Sequence, residues 1–506
     1  PGITLEFDAS AELHIGDAGD DGGELYAVGT VDSIITFTSS DGSKNNWDGI
    51  YFDNASDYGG SVSLMQHCVI ENGNDYNIKL YSTNSITIQD SEIRNSVSDG
   101  IYIHNSYATL QSLDITNNGQ YPIYFNNPYY VTELIDIVTS GNGEEYIAVD
   151  NGVISTDRVW RNCGTDYLLL GDLSIEKYNN VCQLTIEPGN TLRFSNGCEL
   201  HIGDNGNDGG VLIAEGTVDS VITFTSANDS IGGWDGIYLD GASDYYGTVS
   251  VLKHCIVENS NDDNVYFRNA NNHVIDSCTV RNAVSSGIYT VNSFIDMSNL
   301  AINNNGLYPL YFNNPQYVSE LNNIVASGNN ENYIAIDNGT ISTDRTWNYC
   351  QVPYLVLGDI TVEKYNNICQ LTIEPGTTLK FNTDSELHLG DSGDDGGVLI
   401  AEGTADSMIT FTSANDSIGG WDGIYFDRAS DTHSGISTLK NCIIENSRDE
   451  NILFDYANNH IIDNCYVRNA FAYGLRISHS NILLSYIDFE NNGEYGLYYE
   501  QMDYYQ

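Results

Sequence analysis

The chain has 506 residues, with 70 Asp and Glu against 18 Lys and Arg, and a formal net charge of −52. A surface of that sign repels nucleic acid and anionic lipid, which excludes nucleic-acid binding. Hydrophobic residues make up 41% of the chain, enough for a narrow continuous core, and no run approaches the ~20 apolar residues of a membrane span.

Read in chain order, one unit is written almost three times. Pro-Gly begins at Pro1, Pro188 and Pro375, and Trp-Asp-Gly-Ile-Tyr at Trp47, Trp234 and Trp421, always at the same spacing. The copies are 1–187, 188–374 and an incomplete 375–506. Self-similarity at fixed period marks a repeat architecture. Residues 211–237 and 398–424 differ at two positions, Val218/Ala405 and Val221/Met408. An enzyme needs one asymmetric site, whereas near-identical copies suit a spacer, a fibre or a multivalent surface.

A shorter beat runs inside each copy. In the second, apolar segments start at Leu184, Val211, Gly236, Asn264, Gly287, Pro309, Asn332 and Tyr354, then again at Leu371. They are rich in β-branched and aromatic residues and separated by Gly, Asn, Asp and Ser, which reads as strands and turns with no helix. Eight turns per copy, each carrying a strand at the same phase, predict a parallel β-solenoid of about twenty rungs. At ~4.8 Å per rung this is a rod on the order of 100 Å long. A second strand per turn alternates at period two: Cys68-x-Ile70-x-Asn72, Ser91-x-Ile93-x-Asn95, Leu113-x-Ile115-x-Asn117, then Cys255-x-Val257-x-Asn259 and Cys278-x-Val280-x-Asn282. The Ile and Val positions point inward and each Asn takes the bend, where its side chain tolerates left-handed backbone. Stacked Asn amides can then bond from rung to rung.

Leu184-Thr-Ile-Glu-Pro-Gly, Ala214-Glu-Gly-Thr, Ile222-Thr-Phe-Thr-Ser, Trp234-Asp-Gly-Ile-Tyr and Cys255-Ile-Val-Glu-Asn resemble the right-handed parallel β-helix repeat proteins of the pectin-lyase-like superfamily, over the whole chain. The resemblance implies one all-β right-handed solenoid and an extracellular or cell-surface setting. It does not imply a chemistry, because that group includes lyases, hydrolases, adhesins and surface proteins. Neither Pro1 nor the end at Gln506 reads as a cap, which predicts a processed chain, a segment of a longer one, or ends covered by neighbours.

Ten cysteines follow the repeat. Cys163 and Cys182 return as Cys350 and Cys369. Their separation is about one turn, and stacked rungs lie within disulfide reach. The two pairs are disulfide candidates, the other reading being a buried thiol ladder. Cys255/Cys278 and Cys442/Cys465 are also one rung apart, but Cys68 faces Ser91, which favours thiols there. The absence of a C-x-x-C gives structural zinc no support.

A Gly-rich acidic loop offers a Ca²⁺ site: Asp17, Asp20 and Asp21 in the first copy, Asp204 and Asp208 in the second, Asp391, Asp394 and Asp395 in the third. Hard Ca²⁺ wants six to eight oxygens, and such a turn can curl carboxylates and carbonyls around one ion. The other reading is a solvated acidic turn. His14, His201 and His388 just ahead of the loop alternate with inward Leu and Ile and read as outward surface residues, not ligands.

Glycoside hydrolysis needs two carboxylates across the bond, and a β-elimination lyase needs a base, commonly Arg or Lys. Sequences similar to polygalacturonases carry a Gly-His-Gly that this chain lacks. Asp48, Asp235 and Asp422 of Trp-Asp-Gly read as turn residues. Arg428, Arg448 and Arg476 break the repeat, replacing Gly241, Asn261 and Tyr289, and are candidates for an anionic-ligand site. The 36 tyrosines suit sugar binding or protein interfaces. Sequons stand at Asn54, Asn228, Asn338 and Asn415. Together these features read as an extracellular structural protein that self-associates end to end or laterally in a cell-surface or secreted filament. The alternative is a polysaccharide-active enzyme or a glycan-binding adhesin.

Overall fold

A computed structural model describes residues 1–17, 21–204, 206–318, 320–391 and 393–500, with Ala55 described by its backbone alone. The chain forms two units, Pro1–Asn264 and Val265–Gln506. The copy boundaries at Pro188 and Pro375 therefore fall inside units, and parallel ladders run on either side of each.

The first unit is a parallel β-solenoid of short strands. Three strands make a typical turn, such as Ile35–Ser39, Ile50–Phe52 and Ser63–Gln66. Corners are made by single left-handed residues: Asn72, Asn95, Asn117 and Asn259 have φ of 69°, 63°, 55° and 70°, the bend positions expected of them. One residue at such a corner reverses side-chain phase, so apolar positions on both flanking strands face inward. Ile70 pairs with Ile93 and Ile93 with Ile115, all fully buried, and Val257 is buried as well. Each such side chain contributes roughly 1.5–3 kcal/mol by leaving water.

The number of turns in one copy differs from the expected eight. Tyr51 is followed up its ladder by Lys79, Tyr102, Tyr124, Ala148, Leu168, Arg193 and Thr225. Seven rungs thus reach Thr225, while Tyr238, the counterpart of Tyr51, lies one strand further on. Its ladder is a different one, which starts at Gly152–Ile154 and passes through Leu173–Ile175 and Glu199–Ile202. A copy is seven turns plus one strand rather than eight turns. The eightfold beat arose because segments of different ladders were counted together: Leu184 pairs with Leu212, but Gly236 pairs with Glu199. Equivalent residues of the first two copies consequently occupy different ladders.

The second unit repeats the plan. Ile288, Leu310, Ile334, Tyr354, Leu379, Phe411, Ile444 and Val467 follow one another in register. A new ladder opens at Gly339–Ile341, the counterpart one full copy after Gly152–Ile154. Val280 is fully buried, and Asn282 at the adjacent bend has φ 60°.

Two devices hold the rungs. Asn77 Nδ2 donates to Asn118 Oδ1 at 3.1 Å and Asn118 Nδ2 to Asn142 Oδ1 at 2.9 Å; in the second unit Asn305 donates to Asn329 at 2.8 Å. The amide ladder is therefore real: these inward asparagines carry one, and left-handed bend residues pair as well, Asn323 Nδ2 donating to Asn299 Oδ1 at 3.0 Å. The Trp of each Trp-Asp-Gly is fully buried and donates its indole N–H to a backbone carbonyl: Trp47 to Glu71 at 2.9 Å, Trp234 to Glu258 at 2.7 Å, Trp421 to Glu445 at 2.8 Å. The aspartate that follows, expected to be a turn residue, has a side-chain partner in the first and third copies: Asp48 Oδ1 accepts from Asn74 Nδ2 at 3.1 Å and Asp422 lies 3.0 Å from Arg448. Short 3₁₀ segments, which the sequence reading did not foresee, include Asn54–Gly60, Gly241–Gly247 and Arg428–Ser434. No helix among the described residues is long and apolar enough to cross a membrane.

Candidate metal centre

The acidic loop of the second copy follows the strand Glu199–Ile202, which lies in register against Gly236–Asp240 with His201 opposite Tyr238. Alternation sends His201 outward, where its ring meets Tyr238 at 4.8 Å. Gly203 then turns the chain with φ +69°; a Cβ there would fall 2.5 Å from the Ser243 nitrogen. Only glycine permits so close an approach to the 3₁₀ segment Gly241–Gly247. Asp240 caps that segment, accepting the Gly241 N–H at 2.6 Å. The loop closes when Asp204 N–H donates to the Asp208 carbonyl at 3.1 Å.

These contacts bring His201, Asp204 and Asp240 together, one ligand atom from each lying within 4.8 Å of the others. Asp240 is buried, 3% exposed. His201 Nδ1 lies 3.2 Å from Glu199 Oε1, and since a carboxylate only accepts, Nδ1 carries the proton of that bond. The other ring nitrogen, Nε2, is buried and has no hydrogen-bond partner. Burial pulls the imidazole pKa down, but the Glu199 hydrogen bond and the fields of Glu199, Asp240 and Asp204 outweigh it and leave the pKa raised. Burial, with Asp204 next in weight, raises the neighbouring Glu176 carboxyl.

The other copies carry the same residues. In the first, His14 Nδ1 lies 2.8 Å from Glu12 Oε1 and its Nε2 3.7 Å from Asp53 Oδ2. In the third, His388 Nδ1 lies 3.1 Å from Glu386 Oε1, Nε2 is again buried without a hydrogen bond, and Asp427 caps the following 3₁₀ segment through the Arg428 N–H.

The aspartates expected to surround one ion thus separate by role. Asp204 joins the cluster, and Asp17 and Asp391 stand at its position in the other copies. Asp208 and Asp395 turn away, accepting the backbone N–H of Asn179 at 3.0 Å and Asn366 at 2.8 Å. Asp21 and Asp394 are exposed, and Asp20 lies outside the described residues. The histidines are outward as expected, yet His201 belongs to the cluster. Asp53, Asp240 and Asp427, Glu12, Glu199 and Glu386 were missed. The signal was available: Glu-Leu-His and Tyr-x-Asp stand unchanged in all three copies.

The family model described as "Right handed beta helix region" matches residues 25–142 and 395–504, and parallel ladders of the same kind occupy the residues between in each unit. The chain is a parallel β-helix repeat protein. No curated protein matches it.

In this β-helix all ten thiols are free and buried. The pairs Cys163–Cys182 and Cys350–Cys369 are not bridged, and register explains it: Arg158 pairs with Leu184, so a turn here is longer than the step from Cys163 to Cys182. Cys182 Sγ instead donates to the Ile154 carbonyl at 3.1 Å, and Cys369 to Ile341 at 3.2 Å. Two of the repeat-breaking arginines are held by the chain's own carboxylates. Arg448 pairs with Asp384 and, at 3.0 Å, with Asp422; Arg476 pairs with Glu450 at 3.1 Å and Glu500 at 3.3 Å. Arg428 is exposed. One acid the sequence reading overlooked is Asp99, where the other copies have Ser286 and Tyr473. It is 4% exposed and accepts the Tyr121 N–H at 2.9 Å, and burial, with Asp75 nearby, lifts its pKa to about 6.

Proposed function

We propose that this β-helix is an extracellular structural protein that works within a cell-surface or secreted assembly, through a rigid repeated scaffold. The observation that carries the reading is the sameness of the copies in atomic detail. The rings of Phe7 and Trp47, Phe194 and Trp234, and Phe381 and Trp421 stack at 4.5, 4.5 and 4.4 Å with interplanar angles of 13°, 17° and 18°. Selection for one active site leaves two copies free to drift, whereas selection for a scaffold acts on every copy alike. At −52, neighbouring molecules repel unless cations, Ca²⁺ among them, screen their contacts. Electron microscopy of the native material tests the reading directly, with filaments or ordered arrays expected. Sedimentation as a monodisperse monomer at every protein, salt and Ca²⁺ concentration rejects it.

One feature supports a second reading, a glycan-binding or polysaccharide-active surface. Tyr76, Tyr102 and Tyr124 stack along the first unit at 4.7 and 5.3 Å, with Tyr124 Oη donating to Asp150 at 2.9 Å and Asp99 close by. Stacked rings beside carboxylates suit pyranose faces and hydroxyls. Oligosaccharide binding that Tyr102→Ala abolishes supports this reading, and binding that survives the change removes it.

A further inference from the structure

We propose that His201 Nε2, Asp204 and Asp240 form a binding site for one divalent transition-metal ion of the Zn²⁺ class, with Glu199 fixing the imidazole that faces it. Glu199 engages Nδ1, so Nε2, buried and without a hydrogen bond, is the ring nitrogen left for a ligand beside the two carboxylates. A buried polar nitrogen left without a partner is costly. A cation at the centre gives Nε2 that partner and balances the charge of the two carboxylates. A histidine that donates its other N–H to a carboxylate is the arrangement that orients metal-ligating imidazoles and raises their basicity.

The donor set decides the class of ion. Ca²⁺ requires six to eight oxygens, and the loop aspartates that would supply them are turned elsewhere or exposed. One imidazole nitrogen with two carboxylates suits Zn²⁺ and its first-row neighbours. Bonds of ~2.0–2.2 Å place ligand atoms about 3.3 Å apart in a tetrahedron, so atoms now within 4.8 Å close on an ion through side-chain shifts of about 1 Å. Gly203 holds Asp204 against the Asp240-capped segment through its close approach to Ser243, so the site is built by the fold. The recurrence of Glu-x-His-x-x-Asp and the capping Asp in all three copies is independent of this geometry. Among the described residues the cluster at His201 is the one whose ligand atoms already meet, and it is the tight site. The sites at His14 and His388 are the weaker ones.

The test uses the full chain, stripped with a chelator and titrated with Zn²⁺ against a chromophoric competitor. One tight equivalent per chain is expected. His201→Ala and Asp204→Asn weaken it at least tenfold, Glu199→Gln weakens it about 10–100-fold, and His14→Ala and His388→Ala leave it in place. Millimolar Ca²⁺ does not displace it. X-ray absorption of the wild-type Zn²⁺ complex reads the shell without any variant, and one imidazole with oxygens is expected. The absence of a tight equivalent, an unchanged affinity in His201→Ala, displacement by Ca²⁺, or a shell of oxygens alone each overturns the proposal.

Discussion

The indole of Trp234 lies on the ring of Phe194, 4.5 Å between centroids and 17° between planes, while its N–H donates to the Glu258 carbonyl of the next rung. One side chain thus joins an earlier strand to a later one. Trp234→Ala removes the stack, opens a cavity and leaves the carbonyl without its donor. A loss of about 3–5 kcal/mol follows from the cavity, read as a fall in the denaturant midpoint. A variant that melts with wild type would show that the Trp does not hold the turn.

The Asn118 amide is bonded on every side. Its Oδ1 accepts from Asn77 Nδ2, the Ser96 N–H at 3.0 Å and Ser96 Oγ at 2.8 Å, and its Nδ2 donates to Asn142. Asn118→Ala strands several buried partners, and roughly 1–3 kcal/mol per unmade bond makes it more damaging than its volume implies. Asn117→Ala, one residue away at the outward bend, loses only the left-handed preference and costs about 1 kcal/mol. Paired urea melts of the two variants check the ranking. If Asn117→Ala proves the worse, the inner ladder is not what holds these rungs.

That pair also shows what the sequence carried and what it hid. Period-two alternation identified Ile70, Ile93 and Ile115 because a one-residue slip would expose every one of them. Bend asparagines were legible for a local reason, the backbone preference of the residue itself. The inner ladder of Asn77, Asn118 and Asn142 was not, because it depends on which rung lies over which. The same limit produced the eightfold count and the disulfide pairs, since rungs of the Tyr51 ladder range from the short step between Ala148 and Leu168 to the long one between Arg193 and Thr225. At the candidate metal centre the loop aspartates were visible as a local motif. His201 was visible but assigned outward only, and Asp240 arrives from the next rung, far beyond Asp204 in the chain.

Ten buried free thiols make a countable prediction. Burial raises the Cys182 and Cys369 thiols to about 12, so they are scarcely ionised at neutral pH and react slowly while folded. Alkylation in denaturant without reductant should label all ten, and the folded protein few or none. Mass spectrometry that finds Cys163 linked to Cys182 in fresh material would contradict the register given above.

Acid should loosen the second unit at a definite residue. His460 is 1% exposed; its Nδ1 accepts the Ser437 N–H at 2.9 Å and its Nε2 lies 2.9 Å from Ser430 Oγ. Burial pushes its pKa down to about 4 from 6.5, against a smaller opposing pull from Asp431. The folded ring therefore stays neutral where the unfolded one takes up a proton. Its contribution is complete above about pH 6.5 and is lost as pH falls from there toward 4. At about 1.36 kcal/mol per pKa unit the loss is on the order of 3 kcal/mol by pH 4. His273, the counterpart in the second copy, is pushed to about 4 in the same way, and the first copy has Ile86 in its place. Stability measured by urea unfolding between pH 7 and 4 should fall, and His460→Gln, which cannot take up a proton, should flatten part of that slope. An identical slope in wild type and variant would show that the acid sensitivity arises elsewhere, among the carboxylates that carry most of the charge.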